Sequence, residues 1–224
     1  SHPNRNETTT LNYQNGRVIT ITGLHTGWTE VDSFFYDEQN RVIGIHKDYS
    51  GNKSLHPEDE QLKFTYTDDL ITKIVTTIPE LSVVSTTTIF HDAQGRVETQ
   101  FYATNYSAGS YDSYSRLEYN DTTQNLSKLK RYSETDELIY TTELEYDKGT
   151  NPTSILSYRI NFFIGIQAIK FQNNITKQTT TFPTIGVKEV YTLSYEYDTN
   201  SLPTKATMSY DNILYIRTYT YKYL

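Results

Sequence analysis

The sequence contains no cysteine, only one methionine and no long apolar run. Without cysteine the chain has no disulfide framework, no thiol nucleophile and no cysteine-ligated metal site. No stretch approaches the roughly 18 uninterrupted apolar residues of a membrane-spanning helix. Basic residues are also in deficit, since 20 lysines and arginines stand against 27 acidic residues and give a net charge of −7. This balance argues against a nucleic-acid partner, which normally calls for a basic patch.

Aromatic and β-branched residues are plentiful, and they recur with a period. The 21 tyrosines, together with a high threonine content, favour an all-β fold. A tyrosine followed by a turn returns about every 26 residues, and such a repeat sets the architecture before any single residue does. The anchor positions of this tyrosine-turn repeat are Tyr13, Tyr36, Tyr66, His91, Tyr119, Tyr146, Phe171, Tyr197 and Tyr221.

The residues before each anchor alternate with a period of two. Leu62, Phe64 and Tyr66 fall on one face of an extended segment, while Lys63 and Thr65 fall on the other. This alternation is typical of a half-buried antiparallel strand, and no helical spacing fits these windows. We expect the tyrosine ring to cover the end of its strand while the hydroxyl stays in water.

Each anchor is followed by Asp, Asn or Gly, which are the residues of tight hairpin turns. Asp and Asn side chains accept hydrogen bonds from the backbone of the turn, and Gly or Asn tolerates positive φ. The sequence predicts two-residue turns at 15–16 and 173–174, and four-residue loops at 37–40 and 92–95.

One repeat therefore corresponds to about two strands, and about eight repeats give an antiparallel up-and-down meander of about 15 to 17 strands. Such a sheet must close into a barrel or curve strongly, because a long flat sheet leaves edges and one apolar face exposed. We predict a flexible N-terminal tether over residues 1–10 and a single β-meander domain over 11–224. Pairing of the segment 11–23 with the segment 213–224 would show that the barrel is closed.

Two family resemblances follow from these motifs. The pattern Tyr-Asp-x-x-Asn/Gly-Arg-Val, seen at Tyr36–Val42 and in the His91–Val97 segment, resembles the tyrosine-aspartate repeat of Rhs-type wall and toxin-shell proteins. That resemblance implies β-hairpin spirals that enclose space and hold no active site in the repeats. The chain resembles more closely the secreted lipoproteins of gut Bacteroidetes that carry a domain of unknown function with a porin-like β-barrel fold.

The second resemblance covers about residues 11–224 and agrees with the polar N-terminus, which we interpret as part of a tether in a longer protein. It implies a secreted, periplasmic or cell-surface protein that is anchored to the outer membrane by an N-terminal lipid. It brings no functional residues, because that group has no assigned activity.

The acidic residues have structural explanations. The turn chemistry accounts for Asp37, Asp92, Asp147 and Asp198, and the glutamates 118, 143, 145 and 196 fall on polar strand faces. No nucleophile elbow, phosphate-binding glycine loop or dinucleotide fingerprint occurs. We therefore predict no catalytic residues, no cofactor and no metal site. His56 with the acidic residues 58–60 could gather a cation, but a hydrated acidic loop is the preferred interpretation.

The aromatic residues are the better functional lead, because exposed rings near loops can stack on sugars or anchor a protein partner. The candidate binding surface consists of Trp28, which is the only tryptophan, and of Tyr102, Tyr106, Tyr111 and Tyr114, which crowd a variable linker.

Three functions remain open from the sequence. The favoured one is a non-enzymatic binding or structural module of the cell envelope, with a glycan or an envelope protein as partner and membrane association through the lipid alone. The second is an integral outer-membrane β-barrel, which short turns at one end and longer loops at the other would suit. The third is a glycan-active enzyme with two convergent carboxylates.

Overall fold

The computed structural model describes residues 5–53, 58–106, 109–151, 171–211 and 213–223. These residues form fifteen β-strands and one short 3-10 helix, Pro79–Leu81. The strands are β1 (Arg5–Gln14), β2 (Arg17–His25), β3 (Trp28–Tyr36), β4 (Val42–Gly51), β5 (Glu60–Thr67), β6 (Leu70–Ile78), β7 (Val83–His91), β8 (Val97–Tyr106), β9 (Gly109–Tyr119), β10 (Leu126–Ser133), β11 (Leu138–Thr150), β12 (Asn173–Phe182), β13 (Val187–Tyr197), β14 (Pro203–Tyr210) and β15 (Ile213–Tyr223). His56 lies outside the described residues.

The strands form one closed barrel, in which each strand pairs with its neighbours in sequence and β1 pairs with β15. Sequential neighbours are antiparallel, whereas β1 and β15 are parallel, because an up-and-down chain of fifteen described strands ends in the direction in which it began. Thr8 lies opposite Thr218, and Leu11 lies opposite Tyr221. The predicted antiparallel meander is confirmed, and its closed form is the one that occurs. Closure removes the sheet edges that would otherwise be open to aggregation.

The hairpin turns alternate between two rims of the barrel. We call the rim with the turns 15–16, 37–41, 68–69, 92–96, 120–125 and 198–202 the tyrosine rim, because the repeat anchors end their strands there. The other end, with the turns 26–27, 79–82, 134–137 and 183–186, is the opposite rim.

The half of the barrel next to the tyrosine rim is packed with apolar side chains. Alternate residues of each strand point inward, and the inward positions near this rim are mostly Leu, Ile, Val and Phe. Leu11, Val18, Ile74, Leu126 and Leu129 have no exposed surface at all. This part of the interior is therefore a core and not an open channel.

Towards the opposite rim the inward positions become polar. On β3, the next inward residue from Phe34 towards this rim is Asp32. On β4, the next inward residue from Ile45 is Lys47. Both polar side chains are buried. Buried hydroxyl and amide side chains line the inner face of the later strands in the same way; they include Ser85, Thr87, Gln100, Thr104, Ser115, Thr142, Gln178 and Thr180. The barrel interior thus has an apolar half and a polar half.

Strand β1 begins at Arg5, inside the segment 1–10 for which the sequence predicts a tether. Residues 5–10 are strand residues because β15 and β2 lie on either side of this segment, and residues 8–10 pair with both. A polar segment is stable as a strand there, because its backbone N–H and C=O groups form hydrogen bonds with the neighbouring strands and because threonine favours strands. Thr9 points inward and is buried.

The predicted turn at 15–16 is confirmed, since Asn15 and Gly16 have φ of 51° and 76°. Such positive φ at both central residues suits the right-handed twist of a hairpin. The loops predicted at 37–40 and 92–95 are present, but each connection is one residue longer, at 37–41 and 92–96. In the first of them the backbone N–H of Asp37 donates to Arg41, and that of Asn40 donates back to Asp37.

The predicted turn at Asn173-Asn174 is wrong, because both residues open strand β12. Their side chains bridge to other segments instead of closing a turn. The amide of Asn125 donates to the side chain of Asn173, and the amide of Asn174 donates to the backbone oxygen of Thr150. A partner that is distant in sequence decides the conformation here, which no local turn propensity reveals.

Candidate functional site

The repeat tyrosines tie adjacent strands together at the tyrosine rim. Each of these hydrogen bonds joins two strands whose connecting turn lies at the opposite rim. It therefore holds the two strands together at the tyrosine rim, where no turn connects them. The hydroxyls donate to backbone oxygens as follows: Tyr36 to Val18 (2.7 Å), Tyr66 to Val42 (2.7 Å), Tyr119 to Val97 (2.9 Å), Tyr146 to Leu126 (2.7 Å), Tyr195 to Ile175 (2.9 Å) and Tyr221 to Pro203 (2.7 Å). In the eighth repeat this hydrogen bond comes from Tyr195, two residues before the predicted anchor Tyr197. The expectation that these hydroxyls stay in water is therefore wrong.

The aspartate and arginine of the motif belong to the same structural unit. Asp37 accepts the backbone N–H of Arg41 at 2.8 Å and its Nε–H at 2.8 Å. The guanidinium of Arg41 also lies 4.8 Å from the ring centre of Tyr66, the anchor of the next repeat. Asp92 and Arg96 make the corresponding contacts. The carboxylates of Asp37 and Asp92 thus form hydrogen bonds that stabilise their own loops.

Four glutamates on the outer face are occupied by lysines of neighbouring strands. The closest N–O distances are 2.7 Å for Lys130–Glu118, 3.1 Å for Lys128–Glu143, 2.6 Å for Lys177–Glu145 and 2.6 Å for Lys205–Glu196. These pairs explain the glutamates as cross-strand partners on an outer surface that carries both signs of charge.

The five aromatic residues that the sequence singles out do not share one surface. Trp28 lies at an inward position near the opposite rim, where its ring stacks on His25 at 3.7 Å between centres. Tyr102 also lies at an inward position, and Tyr114 points outward from the next strand. The backbones of Tyr106 and Tyr111 lie in β8 and β9, paired with Gly109 and Thr104.

Tyr114 belongs to a row of four aromatic rings on the outside of the barrel, which we call the outer aromatic row. The row crosses β7 to β10, and its ring centres are 5.7 Å apart for Phe90–Phe101, 5.4 Å for Phe101–Tyr114 and 5.0 Å for Tyr114–Tyr132. Phe90 and Phe101 are about half exposed, at 51% and 48%. Sequence reasoning found only Tyr114, because the other three align with it only through the register between strands.

Polar groups line an open groove of about 400 Å³ beside the row. Glu98, Thr99, Arg116 and Asp136 contribute to this groove together with the aromatic rings. The guanidinium of Arg116 lies 5.5 Å from the ring centres of both tyrosines of the row. The Tyr114 hydroxyl donates to Asp136 at 2.5 Å, and this hydrogen bond raises the pKa of Tyr114.

A second cluster of functional groups lies inside the barrel, on β1 to β4 and β15. His25 approaches Glu7 at 3.0 Å through Nδ1 and Glu30 at 3.7 Å through Nε2. Lys47 approaches Glu30 at 3.2 Å, and Arg217 approaches Glu7 at 2.5 Å. We call these five side chains the inner charge network.

The inner charge network holds His25 and Glu7 in their charged forms. Burial alone would lower the pKa of His25, but the carboxylates of Glu30 and Glu7 outweigh it and raise that pKa to about 9. Burial alone would raise the pKa of Glu7, but His25 and Arg217 outweigh it and lower that pKa to about 2. The network is thus a set of compensated charges near neutral pH.

Among the described residues, no group of three or more His, Asp or Glu side chains has an arrangement that could hold a metal ion. No helix in the described part of the chain is long and apolar enough to cross a membrane.

No protein-family model matches the chain, and no curated protein matches it. The solved structures that are similar to it include two porin-like proteins. A porin-like protein from Bacteroides vulgatus is 9% identical with a TM-score of 0.52, over 91% of this chain and 93% of that chain. A porin-like protein from Bacteroides uniformis is 15% identical with a TM-score of 0.45, over 84% of this chain and 86% of that chain. At this level of identity, the similarity to the first structure extends to the barrel fold alone.

Proposed function

We propose that the protein is a non-enzymatic binding module of the bacterial cell envelope and that its outer aromatic row binds a glycan. The observation that carries this proposal is the outer aromatic row itself, with its two half-exposed phenylalanines and its polar groove. Sugar rings have one apolar C–H face and a rim of hydroxyls, so they suit a site that combines aromatic rings with a few convergent polar groups.

The polar groups of the groove fit this ligand class. The guanidinium of Arg116 supplies N–H donors, and the carboxylate of Glu98, at an exposed position, supplies acceptors for sugar hydroxyls. The row extends across four strands, so several sugar units of a chain could lie along it. A ligand of this shape needs a surface that faces water.

The outer face supports such a water-facing surface. The Lys128–Glu143 and Lys177–Glu145 pairs between neighbouring strands point outward from β10 to β12, away from the strand ends. A lysine or arginine on the lipid side of a membrane barrel costs about 2–4 kcal/mol at the bilayer midplane. This cost favours a barrel in water over the alternative of an integral outer-membrane barrel.

A glycan-binding experiment tests the proposal. We expect the protein to bind one class of polysaccharide on a glycan array and to release no product from it. Phe101→Ala should weaken that binding at least about tenfold, since it removes one ring from the row. Phe35→Ala is the matched control, because Phe35 is an equally exposed phenylalanine at 53% on a different strand. Equal losses in both variants, or product release by the wild type, would contradict the proposal.

The envelope location is supported by the porin-like description of the Bacteroides vulgatus structure with the same fold. In this proposal the full-length protein is attached to the outer membrane by an N-terminal lipid, and the barrel itself stays outside the bilayer. Fatty-acid labelling of the full-length protein in cells, followed by detergent-free release of the barrel by proteolysis, tests this arrangement. A barrel that leaves the membrane only with detergent would contradict it.

A further inference from the structure

Arg131 is a cation on the inner face of the barrel that has no acidic partner among the described residues. It lies on β10, opposite Ser115 of β9 and Tyr140 of β11, three residues before the turn at the opposite rim. The other inward cations whose side chains the structure describes have carboxylate partners: Lys47 lies 3.2 Å from Glu30, Arg217 lies 2.5 Å from Glu7 and His25 lies 3.0 Å from Glu7.

Neutral groups surround the guanidinium of Arg131. Its Nη1 donates to the hydroxyl of Ser115 at 3.0 Å, and its Nη2 donates to the hydroxyl of Ser113 at 2.6 Å. Its central carbon lies 5.6 Å from the ring centre of Tyr102. These contacts orient the group and fix two of its five N–H donors, but they do not neutralise its charge.

Burial makes this arrangement costly. Burial lowers the pKa of Arg131, against the smaller opposing effects of Tyr140 and Tyr102. An arginine nevertheless stays protonated in proteins, so the positive charge remains in a partly dehydrated place. Charges in such places are normally paired.

A buried hydroxyl on the same inner face also lacks a partner among the side chains that the structure describes. Thr104 is 1% exposed, and its Oγ1 makes no hydrogen bond to any of them. It lies on β8, two residues beyond Tyr102, whose partner across the ladder is Ser113. A buried polar atom without a partner destabilises the folded protein. The two observations are independent, and both concern donors on the inner faces of β8 to β10.

We propose that the inner face around Arg131 binds the oxyanion group of a ligand: a carboxylate, a phosphate or a sulfate. The planar guanidinium can donate two parallel hydrogen bonds to any of these groups. Ser113 and Ser115 hold the guanidinium in place, and Tyr102 forms one wall. The site is separate from the outer aromatic row, because it lies on the other side of the sheet.

Thermal unfolding in the presence of single anions tests this site. Inorganic phosphate, sulfate and acetate are each titrated at constant ionic strength, with chloride as the reference. We expect at least one of them to raise the unfolding temperature saturably, with a dissociation constant of about 1 mM or tighter. A response to phosphate or sulfate alone assigns a tetrahedral oxyanion, and a response to acetate alone assigns a carboxylate. No saturable response to any of the three would overturn the proposal.

Two variants assign the response to Arg131. Arg131→Gln should abolish it, while Lys73→Gln, at an exposed position on the outer face of β6, should leave it unchanged. If the glutamine variant does not fold, Arg131→Lys keeps the charge but loses the planar fork, and its dissociation constant should be at least about tenfold weaker. A wild-type response in the Arg131 variants, or an equal loss in the Lys73 variant, would show that the anion binds elsewhere.

Discussion

His25 shows how strongly a single side chain depends on its position inside the barrel. It lies between the carboxylates of Glu7 and Glu30, and the indole of Trp28 covers its ring. An exposed histidine is mostly neutral near pH 7, whereas this one carries a proton because two anions surround it. Nothing in the sequence around His25 indicates this, since Glu7 is on another strand and Trp28 follows a turn.

The protonation of His25 predicts a pH dependence of stability. Its pKa is raised from 6.5 to about 9, so its contribution is complete below pH 6.5 and is lost as the pH rises through about 9. We expect the free energy of unfolding to fall over this window by about 2 kcal/mol, which is less than the full shift implies because the group is partly hydrated. Urea unfolding across this pH range measures the effect.

The variant His25→Gln should lose most of this decline between pH 6.5 and about 9. His46→Gln is the control, because His46 points outward and lies 3.5 Å from Asp48 at the surface. A wild-type pH profile in the His25 variant would show that another group causes the decline.

At the scale of the hairpin, the repeat works as an interlocking unit. Its tyrosine reaches back to the preceding strand, its aspartate closes the turn, and its arginine covers the ring of the next tyrosine, as in Tyr36, Asp37 and Arg41. The turns and strand faces were predictable because they depend on local propensity and on a period of two. The tyrosine ties were not, because each joins residues about 20 positions apart through the barrel register.

The close approach of the Gly51 backbone to Gly27 and Trp28 predicts that a single added methyl group strongly lowers the stability of the protein. Gly51 has φ of +115°, and a Cβ there would lie 2.5 Å from the backbone oxygen of Gly27 and 2.8 Å from the Cα of Trp28. We expect Gly51→Ala to cost about 3 kcal/mol or more, since strain and overlap with backbone add together. Gly16→Ala is the control, because Gly16 also has positive φ but has nothing within 4 Å of that Cβ.

Chemical denaturation measures both glycine variants. The control should cost only about 1 kcal/mol, which is the effect of the unfavourable φ alone. Equal costs at the two positions would mean that the close approach between β3 and β4 relaxes without a penalty.

At the scale of the whole molecule, the antiparallel meander followed from the repeat, but the functional surfaces did not. The sequence predicted the strand number, because it depends on counting hairpins, and a sheet that either closes or curves strongly; the pairing of β1 with β15 shows that it closes. The sequence could not show that Tyr102 and Tyr114 lie on opposite sides of the sheet, or that Phe90 and Phe101 join Tyr114, since side-chain facing depends on register and bulges. The sequence also does not show that Arg131 has no acidic partner among the described residues, because that depends on which strands lie next to β10 in the barrel.

Closure of the barrel can be tested in a chain that has no native cysteine. Thr8 and Thr218 lie opposite each other on the outside of the β1–β15 pair, with their hydroxyls 3.1 Å apart. The double variant Thr8→Cys with Thr218→Cys should form an intramolecular disulfide on oxidation and gain about 2–4 kcal/mol of stability. Gel mobility with and without reductant measures the crosslink.

The pair Thr8→Cys with Thr88→Cys is the control, because Thr88 lies on β7, far around the barrel. It should stay reduced within one molecule. A crosslink in the control pair, or none in the Thr218 pair, would mean that the two ends of the sheet do not meet in solution.

The parallel pairing of β1 with β15 also gives the barrel a mechanical axis. The chain enters at one rim and leaves at the other, so a pulling force between the two ends slides β15 along β1 and does not peel the strands apart. In this shear geometry the whole ladder, from the Arg5–Tyr215 pair to the Tyr13–Tyr223 pair, carries the load at once. The barrel is therefore expected to be stiff under a tension applied between Arg5 and Tyr223.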